Sequence, residues 1–77
     1  MPIKSYLAHP MKGKKEELLI TLKSFDQCEV IPAENQDILA LVTDTENEKE
    51  DEILKEKIEA LSSLKLLALV SGFNTPQ

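Results

Sequence analysis

An α+β sandwich, with two helices laid on one face of a four-stranded antiparallel sheet, is the fold this sequence predicts. Three observations predict it. Two stretches carry apolar residues at helical spacing, four short runs have strand character, and the two kinds alternate as β-α-β-β-α-β. Right-handed crossovers in two such βαβ halves place the first and third strands in the centre of the sheet. This is the ferredoxin-like arrangement, in one domain spanning residues 1–77.

Residues 3–9 read as the first strand, closed by Pro10, which biases His9 away from helix. Leu18, Leu19, Leu22 and Phe25 then form one apolar stripe, which predicts a helix over residues 15–25. Residues 28–31 form a second strand, stopped by Pro32. A polar, turn-rich segment leads to a third strand over residues 38–43, apolar at nearly every position, as a central strand should be. The short connection makes these two strands an antiparallel hairpin. Residues 43–47 offer helix N-caps, and Ile53, Leu54, Ile58 and Leu61 give the second helical stripe. Acidic residues crowd the start of this helix, where its dipole favours negative charge. Residues 66–70 complete the sheet and run into Ser71, Gly72 and Phe73.

Composition narrows the function. The 77 residues are 42% hydrophobic and 30% charged, which is globular usage. No run approaches the ~20 apolar residues of a membrane span, and the start of the chain lacks an apolar leader core. With a single cysteine, Cys28, no internal disulfide or zinc knuckle forms. A cytoplasmic protein without membrane insertion is expected. Its 14 acids face 9 bases, all of them lysine, for a net charge of −5. Nucleic-acid readers rely on arginine forks and a positive patch, so no nucleic-acid partner is expected. A cationic partner suits this balance better.

No catalytic centre, metal site or cofactor site emerges. Only Tyr6 among the aromatics falls on a central strand, which is too few for base stacking. No arginine is present to hold phosphate, and two glycines make no phosphate loop. His9 reads as a strand-end surface residue without partners, and Cys28 as a small buried apolar one. The acids of residues 46–52 lack the alternating ligands and mid-loop glycine of an EF-hand. Lys12, Lys14 and Lys15 are too few to anchor nucleic acid.

Four segments carry a family resemblance: Ser5-Tyr6-Leu7, Cys28-Glu29-Val30, residues 38–42, and residues 67–73. In order and spacing they resemble the NapD family, over about residues 3–74. The chain departs from the family at Gln27, where a glycine usually stands, at Phe73-Asn74 in place of Tyr-His, and in lacking a glycine before the last strand. The resemblance implies a chaperone with no enzymatic activity. Such chaperones bind the twin-arginine signal peptide of the periplasmic nitrate reductase precursor and delay its export until the molybdenum cofactor is inserted.

Strand alternation assigns the two sheet faces. The bulkier set is expected beneath the helices: Ile3, Leu7, Cys28, Val30, Leu39, Leu41, Leu67, Leu69 and Phe73. Lys4, Tyr6, Ala8, Glu29, Ile31, Ile38, Ala40, Val42, Leu66, Ala68 and Val70 are expected on the open face. Of these, Tyr6, Ala8, Glu29, Ile31, Ala40, Val42, Ala68 and Val70 are the candidate peptide-binding residues. Ala8, Ala40 and Ala68 would leave a shallow groove for a peptide helix, with Glu29 as the first choice of arginine acceptor. The same apolar face is also of the kind that a sheet-to-sheet homodimer covers, which occurs often with this fold. Two classes of function therefore stand: a signal-peptide-binding maturation chaperone, and a small ligand-sensing or dimerising regulatory module. Sensing modules are normally fused to an effector domain, for which 77 residues leave no room, and this favours the chaperone.

Overall fold

The computed structural model describes the backbone of residues 2–74 and the side chains of residues 2–70. Strand β1 (Pro2–Pro10) leads to α1 (Lys15–Lys23), then β2 (Cys28–Pro32), β3 (Leu39–Asp44), α2 (Glu48–Glu59) and β4 (Leu64–Asn74). The four strands form one antiparallel sheet in the order β2-β3-β1-β4. The ferredoxin-like order and the central position of β1 and β3 are thus as expected.

Local chemistry sets the element ends. Gly13 takes φ +75° in the turn before α1, a conformation that resists any side chain. At the other end of α1, the Ser24 N–H donates to the Thr21 carbonyl and the Phe25 N–H to the Leu22 carbonyl. Asn47 is the cap chosen from the polar run before α2: its side-chain oxygen accepts from the Glu50 N–H at 2.9 Å.

The core lies between the helices and one sheet face. Leu18 and Leu22 of α1, Leu54 and Ile58 of α2, and Leu39 and Leu41 of β3 are buried there with Val30 of β2. Leu19, Phe25, Cys28, Leu61, Leu64 and Leu67 pack around them. Ile53 leaves the predicted stripe and is 44% exposed, so α2 docks through a narrower face than its spacing suggested.

Strand β1 corrects the expected faces. Tyr6 and Ala8, expected on the open face, are 4% and 0% exposed in the core, whereas Leu7, expected inside, is exposed. Ile3 alternates with them and shares the side of Leu7. This phase comes with a contact that periodicity cannot show. Lys4, also expected on the open face, turns beneath α2, where its Nζ donates to Asp51 Oδ2 at 2.5 Å and lies 3.6 Å from Glu48. In the opposite phase Ser5 and His9 would lie under the helices in place of Tyr6 and Ala8, and their polar groups would need partners there. The hydrogen bond to Asp51 holds the Lys4 ammonium above the ordinary lysine range, against the opposing effect of burial. Burial, helped by the Asp51 charge, raises the Tyr6 hydroxyl. Behind them, Thr43 Oγ1 is buried without a hydrogen-bond partner.

Strand β4 is irregular. Ser5 pairs with Ser71 while Tyr6 pairs with Leu69, so Val70 is an extra residue in the ladder. His9 pairs with Leu66 while Pro10 pairs with Leu64, which makes Lys65 a second one. Leu69 stands opposite the core residue Tyr6, yet this edge position leaves it 60% exposed rather than inside as expected. The expected inward side chain of Phe73 lies outside the described residues. Among the described residues, no helix is long and apolar enough to cross a membrane.

Candidate peptide-binding face

The sheet face away from the helices is ordered in rows by the strand register. One row runs Ile31–Ala40–Leu7–Ala68 across all four strands. Beside it, Glu29, Val42 and Ser5 are aligned. Asp44 and Ile3 pair at one end of the face, and His9 and Leu66 pair toward the other. Residues directly opposite in antiparallel strands share a face, so these rows are neighbours on one surface.

That surface is apolar and open. Ile31 is 64% exposed, Leu66 55% and Leu7 36%. Ala40 is exposed, while Val42, Ala68 and Ile38 are half-buried, Ile38 just before the start of β3. Glu29, Ile31, Ala40, Val42 and Ala68 therefore lie where the sequence placed them. Tyr6 and Ala8 do not, and the expected trough of small residues is absent. Leu7 stands between Ala40 and Ala68, so the surface is a ridge with a shallow furrow on either side. Val70 is exposed at the bulge, outside the regular rows.

At the Asp44 end the face deepens into a concavity of about 550 Å³. Ile3 and Val42 form its apolar wall, and Asp26, Glu29 and Asp44 bring three carboxylates to its rim, with Gln27 and Cys28 completing the lining. Backbone hydrogen bonds hold this shape: the Asp44 N–H donates to the Gln27 carbonyl at 2.9 Å, and the Cys28 N–H to Phe25 at 3.0 Å. None of the three carboxylates is in an ion pair among the described residues. Sequence reasoning found Glu29 and missed Asp26 and Asp44. The available signal was the pairing of the second and third strands, which brings the residues before Cys28 alongside the end of β3.

The other singled-out residues form no second site. Half-buried His9 sits beside Leu66 on the open face. Lys14 lies 3.6 Å from Glu17, and the Lys15 ammonium donates to the Ala33 and Gln36 carbonyls at 2.6 Å each, so the three-lysine patch is partly consumed. Among the described residues no group of His, Cys, Asp or Glu is arranged to hold a metal ion. Burial pushes the Cys28 thiol up to about 11. Alkylation of Cys28 in the folded protein is therefore expected to run about tenfold or more slower at neutral pH than in the urea-unfolded chain, because only the thiolate attacks and its greater basicity offsets part of its scarcity. Timed iodoacetamide labelling followed by mass spectrometry checks this, and equal rates in the two states would refute it.

Fold and face together define a ferredoxin-like sandwich whose own helices leave one apolar sheet surface uncovered among the described residues. Comparison with protein-family models gives no match, and comparison with curated proteins gives none either.

Proposed function

We propose that this chain is a cytoplasmic maturation chaperone. It binds the twin-arginine signal peptide of a molybdoenzyme precursor, the catalytic subunit of periplasmic nitrate reductase, and delays export until the cofactor is inserted. The observation that carries this reading is the uncovered apolar face around Leu7, Ile31 and Leu66, which ends in a concavity rimmed by Asp26, Glu29 and Asp44. Apolar surface supplies the affinity for an amphipathic peptide, and carboxylates that hold no ion pair among the described residues receive its guanidinium groups. The NapD-like order of segments agrees with it, and so does a net charge of −5 with no arginine.

Calorimetric titration of a synthetic twin-arginine leader into the protein tests the proposal. Ala40→Glu puts a carboxylate into the apolar row beside Leu7 and is expected to weaken binding by about tenfold or more. Glu29 is exposed, so Glu29→Gln is expected to cost under ~1 kcal/mol, a loss of up to about fivefold. Affinity should fall as salt rises. Unchanged affinity in both variants would remove the site from this face. Absence of leader binding, with a dimer in sedimentation equilibrium that Ala40→Glu dissociates, would instead favour the dimerising module.

A further inference from the structure

The open face is not uniform along its strands, and that gradient has a direction. The row through Leu7 and the pair His9–Leu66 carry apolar surface with no carboxylate in a ladder position. The row through Glu29 and the pair Asp44–Ile3 carry carboxylates, with Asp26 beside them. We infer that a bound leader peptide lies in one orientation, with its cationic N-terminal part in the concavity between Ile3, Val42 and the three carboxylates. Its apolar C-terminal part then runs over Leu7 toward Leu66 and the β2–β3 hairpin.

This inference rests on the proposed function and adds the polarity of binding. From Ile3 to His9 is six strand steps, about 20 Å, which a helix spans in about 13 residues. Charge decides between the two directions. A reversed peptide sets its cations against Leu7 and Leu66 and its apolar segment over three carboxylates, so it desolvates charge without pairing it. Glu34 and Asp37 lie in the hairpin loop outside the paired rows, where the Lys15 ammonium, bound to the Ala33 and Gln36 backbone carbonyls, sets a positive charge beside them.

Paramagnetic broadening reads the direction. The isotope-labelled 77-residue protein is titrated with the synthetic leader carrying a nitroxide at its N-terminus or, separately, at its C-terminus. The N-terminal label is expected to broaden the amides of residues 26–29 and Asp44, and the C-terminal label those of residues 33–38 and Leu66. The opposite pattern, or equal broadening of both ends by each label, overturns the orientation while leaving leader binding intact. As a second measurement, the triple variant Asp26→Asn, Glu29→Gln, Asp44→Asn should lose about tenfold or more in affinity for the leader. It should lose none for the same peptide with both arginines replaced by glutamine. Equal losses for the two peptides overturn the inference. A leader that gives neither heat nor broadening overturns the proposed function and the orientation together.

Discussion

Replacing Leu22 by alanine is expected to destabilise the protein by about 2–4 kcal/mol. Leu22 is 0% exposed and belongs to the cluster joining α1, α2 and the sheet, so its loss leaves a cavity that neighbours can only partly fill. At ~0.05–0.15 kcal/mol per residue, a chain of this length has about 4–12 kcal/mol in total. The midpoint of thermal unfolding should drop by about 10–25 °C. Ile20, on the same helix but 65% exposed, is the control, and Ile20→Ala should change stability by less than ~0.5 kcal/mol. Urea denaturation followed by circular dichroism measures both. A loss below ~0.5 kcal/mol for Leu22→Ala would mean that α1 buries another face.

The second large effect is at Asp51. This carboxylate is 2% exposed in the first turn of α2 and accepts from Lys4 at 2.5 Å. Asp51→Ala leaves the lysine beneath the helix without its partner. Breaking a fully buried pair costs ~3–5 kcal/mol, but the Lys4 side chain is 24% exposed and regains some water, so about 2–3 kcal/mol is expected. Lys4→Met in the same background removes the stranded charge and should restore about 1–2 kcal/mol. The pH dependence has a definite sign. Lys4 is raised above its ordinary 10.5 in the folded state, so its contribution is complete below that value. It disappears as pH rises through the higher folded-state value. The wild-type advantage over Asp51→Ala should therefore be level, on the lysine side, between about pH 6 and 9 and shrink above about 10.5. Equal stability of wild type and Asp51→Ala at pH 7 would remove the ion pair from the account.

The element order was legible because each element is decided locally. The stripe of Leu18 and Leu22, the proline after β2 and the apolar run of β3 each speak for a single segment. The face of β1 was not legible. Ile3 and Leu7 on one side compete with Tyr6 and Ala8 on the other, and bulk alone favours the wrong set. The observed phase also puts Lys4 under α2, which is tolerable only because a partner 47 residues away, Asp51, receives its charge. The candidate site was half legible for a similar reason. Alternation located Glu29, Ile31, Ala40 and Val42 on strands whose phase was clear. Asp26 stands outside any strand, and Asp44 closes the third, so their approach to Glu29 depends on the pairing of β2 with β3.

The two extra residues of β4 bear on how this protein behaves at high concentration. The last strand forms one rim of the sheet, and between Leu66 and Val70 it carries no charge and no proline. A flat rim of that composition would recruit strands from other molecules and grow into fibrils. The interruptions at Lys65 and Val70 divide its regular register with β1 into two runs of four, residues 66–69 and 71–74. Fibril-forming segments need about six or seven uninterrupted residues, so four are too few to template one. The bulges thus let the chain keep an apolar last strand, which its sheet requires, without offering that strand as a seed.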